Sequence, residues 1–391
     1  MNRHNPPQED LLIRKERVTT LMREQGIEAG IISSNANLLY LAGAIFNGYL
    51  YIDNSGMIIA FYRRPFDSGD MMSFPIRKLE DIPSILKENN IAVPCRLGLE
   101  SDRMPYNEAL RFQAAFGVKT IDNVSGLLRM ARMIKTPWEI EQMRQSARTH
   151  VAVYKQIPRL YKPGMRDIDL QIAIEKLMRE QGSVGLFRTF GSNMEVFMGT
   201  VLVGDNAEAP SPFDFALGGA GIHAALPLGA SGRLIEPGLT VMVDMAGNYT
   251  TYISDITRIY SLGNLPELAT RAHQVSIDMH NRFRETVKEG VACADVHNWS
   301  VEMVNEAGLA DYFMGTTQQA KFVGHGAGIE INEPPVMMSR SKDHFMPGMI
   351  IAFEPKFVIP GTGAIGIENT YLITEAGMEN LTEMEEGVIG L

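Results

Sequence analysis

Asp244, Asp255, Glu354 and Glu368 stand in two segments that are built alike. In LTVMVDMAGNYTTYISDITRIY, two β-rich runs flank a polar GNYTT turn, with Asp244 five residues before its central Tyr249 and Asp255 six after it. On one straight strand, residues an odd number apart point to opposite faces, so a hairpin is what brings Asp244 and Asp255 face to face on one side. In MIIAFEPKFVIPGTGAIGIENTYLIT the turn signal is PGTG, and Glu354 and Glu368 are equidistant from Gly361. Burying four unpaired carboxylates is very costly, whereas two divalent cations would neutralise them. His325, in KFVGHGAGIEINEPP, is the candidate nitrogen donor, because Gly324 and Gly326 would let the backbone approach an ion closely. Alone, a histidine between glycines is more often a structural hydrogen-bonder, and one acidic hairpin is more often a solvated turn; the joint pattern carries the specificity. Oxygen-rich ligation with one imidazole suits two ions of manganese first, with cobalt, zinc or iron also admissible, and so predicts a dinuclear metallohydrolase.

The elements that must hold these residues read as α/β. Leu11, Leu12, Val18, Leu21 and Met22 recur at near-helical spacing up to Gly26, and AGIISS then reads as a strand. GYLYID, GMIIAFY and RLGLES are further strands, and KLEDIPSILKEN a helix, which together predict a mixed α/β domain over residues 1–134. The second domain, 135–391, starts at KTPWEIEQMR, where Thr136 can cap a helix, Pro137 suits its first turn and Glu139 completes a capping box. That helix is expected to reach about Leu160. Helices are also predicted in DLQIAIEKLMREQG and PELATRAHQVSIDMHNRFRETVKEG, with strands and hairpins between and after them.

Composition excludes several classes. With 45% hydrophobic and 21% charged residues, the 391-residue chain is that of an ordinary globular protein. A net charge of −10, spread along the sequence, argues against nucleic acid or an anionic membrane as partner. Cys95 and Cys293 are far apart and lack metal-type spacing, which predicts no disulfide framework and suits a reducing cytoplasm. No signal-peptide layout opens the chain, and no apolar run approaches the roughly 20 residues of a membrane span.

Taken in order, VDMAG, YISDITR, GHGAGIEINEPP, FEPKFVIPG and GIENT resemble the pita-bread metallopeptidases, the family of methionine aminopeptidase, prolidase, aminopeptidase P and creatinase. The N-terminal unit and the junction KTPWEIEQMR are similar to the prolidase and creatinase branch. The resemblance implies a pita-bread domain behind a creatinase/prolidase-like N-terminal domain, acting as a Xaa-Pro aminopeptidase or dipeptidase on small peptides. It also implies roles. Asp244 would chelate one metal, His325 and Glu354 the other, Asp255 and Glu368 would bridge them, a hydroxide would attack the peptide carbonyl, and Glu354 would shuttle the proton. A homodimer is expected on the same ground.

The chain departs from that pattern at three places. Leu228 in ALPLG stands where a histidine usually precedes the first aspartate, Asn332 in INEPP replaces a second active-site histidine, and Gly366 replaces an arginine two residues before the last glutamate. Lost hydrogen-bond donors of this kind can cost orders of magnitude in rate. His223, in GGAGIHAALPLG, is a candidate to take over catalysis by a local shift of the loop, and the amide of Asn332 can still donate. Met194, Phe197 and Met198 are candidates, with Leu228, to line a substrate pocket; core packing is the alternative reading. Tyr252 and Arg258, which flank Asp255, are expected to support it, with a plain place on the hairpin surface as the alternative reading. These departures keep two other readings open, a non-peptidase enzyme of the same fold acting on a small amide or carboxylate metabolite, and a non-catalytic binding protein.

Overall fold

The computed structural model describes residues 5–191, 198–210, 212–213 and 216–391. It divides into two compact units, Met1–Arg132 and Met133–Leu391.

In the N-terminal unit the period-3.6 pattern forms α1 (Gln8–Glu24), whose buried face includes Val18 and Met22, and AGII forms β1 (Ala29–Ile32). α2 (Asn35–Ala42) follows, then β2 (Gly48–Asp53), β3 (Ile58–Tyr62), β4 (Ser73–Pro75), α3 (Ile82–Glu88), β5 (Leu97–Leu99), α4 (Tyr106–Phe116), β6 (Ile121–Asn123) and α5 (Ser125–Met133). The strands make one mixed sheet in the order β4-β3-β2-β1-β5-β6. Its core is apolar, with Ile31, Phe61, Leu97 and Phe112 fully buried.

The C-terminal unit opens with α6 (Pro137–Tyr154), and its capping box is formed: Thr136 Oγ1 accepts from the Glu139 amide, and Glu139 Oε2 accepts from the Thr136 amide at 2.8 Å. The helix is shorter than expected, because a 3₁₀ turn at Ile157–Arg159 takes over before Leu160. α7 (Asp167–Glu180) and β7 (Gly199–Val203) lead to the long antiparallel pair β8 (Thr240–Asn248) and β9 (Ile253–Ser261). After α8 (Glu267–Thr286) comes a helix that the sequence reading did not anticipate, α9 (Cys293–Glu306). It buries Val296, Trp299, Ser300 and Val304 at helical spacing, but its N-cap is Ala292 with no side-chain cap, so the start signal is missing.

The remaining strands are β10 (Gly324–Gly326), β11 (Glu333–Val336), β12 (Ile350–Phe353), β13 (Lys356–Ile359), β14 (Gly363–Gly366), β15 (Asn369–Thr374), β16 (Gly377–Asn380) and β17 (Ile389–Gly390). They form sheets ordered β17-β9-β8-β7 and β11-β10-β12-β15-β16, with β13-β14 as a separate ladder. α8 and α9 pack on an apolar cluster that includes Phe283, Trp299, Phe353 and Phe357. No helix among the described residues is long and apolar enough to cross a membrane.

Two elements give measurable expectations. Thr136→Ala removes the cap of α6 and is expected to cost about 1 kcal/mol, seen as a drop of a few degrees in the melting of the C-terminal unit. His150 and His280 are fully buried, and burial holds each down to about 3. His280 donates Nε2–H to Ile367 O and accepts at Nδ1 from the Tyr371 hydroxyl, so the fold holds it neutral. Since the unfolded chain takes up protons near pH 6.5 and the folded one does not, the stability from these two residues is full above that pH and is lost as pH falls towards 3. Melting temperature should therefore fall on acidification below about pH 6.5, with a shallower slope in His280→Gln.

Candidate metal centre

The β8/β9 hairpin is formed as expected, with one difference of register. Asp244 lies opposite Thr257, and Asp255 opposite Ala246, so the two aspartates are diagonal neighbours and do not face each other directly. The turn closes on Tyr249–Tyr252, one residue beyond the symmetric placement, which moves the partner of Asp244 by two, and a shift of two in a strand preserves the face. In the second segment the expected symmetry holds. The β12/β15 and β13/β14 ladders share one register centred on Gly361, and Glu354 and Glu368 lie opposite each other in the gap between them.

His325 sits on β10 between β11 and β12. The flanking glycines serve those strands: a Cβ on Gly324 would lie 2.4 Å from Ala352 O, and one on Gly326 2.2 Å from Pro334 O. Close backbone approach is thus required, but by neighbouring strands. His325 Nδ1 lies 3.2 Å from Gly326 O, which turns Nε2 towards Glu354 Oε1 at 3.3 Å.

All five residues converge on one cavity of about 100 Å³, walled in part by Phe187, Leu217 and Ile331. Asp255, His325 and Glu368 each offer an atom within 4.8 Å of the others. Glu368 is 1% exposed, and its Oε1 is buried without a hydrogen-bond partner. A buried anionic oxygen of that kind calls for a cation, so the donor set fits a divalent metal.

A residue not anticipated from sequence stands at the centre of the acids. Lys356, fully buried at the start of β13, donates from Nζ to Asp244 Oδ2 and Glu354 Oε2 at 2.8 Å and to Glu368 Oε2 at 2.9 Å. Burial alone would discharge the ammonium, but the three carboxylates outweigh it and hold Lys356 well above the usual lysine range. The acids respond unequally. Burial also opposes ionisation of Glu354, yet Lys356 and His325 bring it down to about 2. Burial, with Glu354 and Asp244, pushes Glu368 up to about 7 against the pull of Lys356. Asp255 is raised well above the carboxylate range by burial and by the charges of Glu368 and Asp244. Against its own burial, the hydrogen bond to Glu354 raises His325. Lys356 was legible as an outlier, a lysine in the strand KFVI, two residues beyond Glu354 and hence on the same side of an extended chain.

Neighbouring groups fix the acids. Thr257 Oγ1 donates to Glu368 Oε2 at 2.8 Å, and Thr370 Oγ1 bonds the backbone of Asp255 in both directions at 2.9 Å. Buried Arg258 donates to the carbonyls of Thr257 and Glu368 and to Asn369 Oδ1, pinning the backbone of Glu368 to β9. Tyr252 instead reaches Glu139 of the α6 capping box at 2.8 Å. Gly366, opposite Lys356 in the β13/β14 ladder, has φ +122°, and a Cβ there would meet Pro355 O at 2.6 Å.

The other expected residues are dispersed. Leu228 lines the cavity, as does Asn332, whose amide is committed: Oδ1 accepts from the Phe190 amide and Nδ2 donates to the Phe190 carbonyl, both at 2.7 Å. His223 is an exposed turn residue whose Nδ1 accepts from the Ala225 amide, away from the cavity lining. Met198 is 4% exposed and packs in the core with Val201 and Met245. Met194 and Phe197 lie outside the described residues.

Residues 141–375 match Metallopeptidase family M24, and residues 14–134 match the Creatinase/Prolidase N-terminal domain. The chain therefore belongs to metallopeptidase family M24, with a pita-bread C-terminal domain, and is a hydrolase of the metallopeptidase type. It is 27% identical over 384 residues to a Xaa-Pro dipeptidase of Pyrococcus furiosus, covering 96% of this chain and 99% of that one. Among solved structures, a prolidase from Pyrococcus horikoshii superposes with a TM-score of 0.79 at 22% identity, covering 96% of this chain and 99% of the other. A Xaa-Pro dipeptidase from Bacillus anthracis does so with 0.79 at 25% identity, covering 97% and 100%.

Thr257→Val keeps the shape of the side chain while removing the donor to Glu368. Divalent metal binding is expected to weaken about 10- to 100-fold in a chelator competition, with the circular dichroism spectrum unchanged.

Proposed function

We propose that this chain is a metal-dependent peptidase that cleaves short peptides at a Xaa-Pro bond, with Mn²⁺ the first ion to try. The observation that carries the reading is the convergence of Asp255, His325 and Glu368, with Glu354 beside them, on one small cavity with apolar walls. Similarity over nearly the whole length to a Xaa-Pro dipeptidase supports the substrate class.

Asp255, His325 and Glu368 would hold the ion. A divalent ion bound there would acidify a water molecule and polarise the scissile carbonyl. Glu354, which lies beside His325, would accept a proton at a carboxylate oxygen and return it to the leaving amine. Phe187, Leu217, Leu228 and Ile331 form an apolar wall against which a proline ring can pack, displacing water from the reacting carbonyl. Asn332 acts through Phe190, whose backbone it clamps beside that wall.

A second reading, hydrolysis of a small amide or carboxylate metabolite, draws on Leu228 and Asn332. The first lines the cavity without a donor and the second commits its amide to Phe190, so this cavity meets a peptide with fewer side-chain donors than the family resemblance implies.

Purified protein supplied with Mn²⁺, Co²⁺ or Zn²⁺ is expected to hydrolyse at least one member of a Xaa-Pro dipeptide panel, and Glu354→Gln to lower kcat by about 10²- to 10⁴-fold. A panel without metal-dependent turnover, alongside stabilisation by a small amide in a thermal-shift screen, would favour the second reading.

A further inference from the structure

The five ligands taken alone call for two divalent ions. We propose instead that Lys356 is a built-in cation that occupies the place of one of them, so that this chain binds a single divalent ion, at Asp255, His325 and Glu368. The inference rests on the metal-dependent reading above and narrows it.

The geometry of the ammonium is complete. A lysine has three N–H donors and no acceptor. Here three carboxylate oxygens, from Asp244, Glu354 and Glu368, lie 2.8, 2.8 and 2.9 Å from Nζ. A metal ion bonded to those same oxygens would sit roughly 2.0 to 2.2 Å from each. It would therefore collide with a nitrogen that the same three atoms already surround, and the two positive charges would repel at contact distance.

The alternative of a side chain that swings aside is disfavoured by its surroundings. Lys356 is 0% exposed, and its Cα lies opposite Gly366 in a ladder too close for a side chain on the facing residue. Moving the ammonium away would give up all three of its carboxylate partners.

The oxygens left over describe one site. Glu368 divides its carboxylate: Oε2 accepts from Lys356 and Thr257, while Oε1 is buried and has no partner. Asp255 and His325 complete the group within 4.8 Å.

The test is metal stoichiometry, which does not depend on turnover. The full chain, loaded with Mn²⁺ and desalted, is expected to retain one manganese per chain by elemental analysis and to give an uncoupled, mononuclear manganese EPR spectrum. Lys356→Met, which keeps the stem and removes the charge, is expected to retain two and to show exchange coupling. Lys356→Arg, which keeps the charge, should stay at one, and together with the unsubstituted chain it decides the matter if Lys356→Met does not fold. Two ions or none in the unsubstituted chain overturns the inference, as does one ion in a folded Lys356→Met. Two coupled ions together with Xaa-Pro turnover would remove the inference and leave the peptidase reading standing; one ion with no turnover on any Xaa-Pro peptide would do the reverse.

Discussion

Four carboxylates placed in one apolar interior repel each other and have lost most of their water, and the C-terminal unit is arranged around that problem. Its answer has two parts. An ammonium grips three of the acids, and one of these, Glu368, also groups with Asp255 and His325 at the cavity. Glu354, in contact with both Lys356 and His325, is held low despite its burial, whereas burial and neighbouring charges push Asp255 and Glu368 up.

Sheet geometry supplies the precision. Asp244 and Asp255 stand on the long buried pair β8/β9, Glu354 and Glu368 sit between the short ladders β12/β15 and β13/β14, and the acids are tied through backbone as well as side chain. Arg258 illustrates the economy of this arrangement, because one planar guanidinium reaches the carbonyls of Thr257 and Glu368 and the amide of Asn369, joining β9 to the break between β14 and β15. Lysine at the same position could not make those contacts together. Thr257 and Thr370 add short hydroxyl bonds at the two acids nearest the cation site.

Much of this was legible in the sequence, for identifiable reasons. The five candidate residues could be singled out because charge conflict, hairpin symmetry and a histidine between glycines are properties of residue order, and Thr136, Pro137 and Glu139 announced a helix start by local chemistry alone. What escaped depended on contacts that order does not encode. The two-residue offset of Asp255 depends on how the Tyr249–Tyr252 turn closes. α9 lacked a capping side chain, so nothing marked its beginning. His223 and Asn332 were plausible donors by type, but one faces solvent and the other spends its amide on Phe190, which only tertiary structure reveals. Lys356 was visible as an oddity in an apolar strand, yet its meaning required knowing that three acids surround it.

The offset in the β8/β9 hairpin has a consequence for how this protein can vary. Side chains alternate along a strand, so Asp255 reaches the cavity only while β9 keeps its register against β8. An extra residue in the Tyr249–Tyr252 connection is harmless where it simply lengthens the loop. Where it is absorbed instead by re-pairing β9 one residue along, the hairpin still closes and the carboxylate is delivered to the opposite side of the sheet.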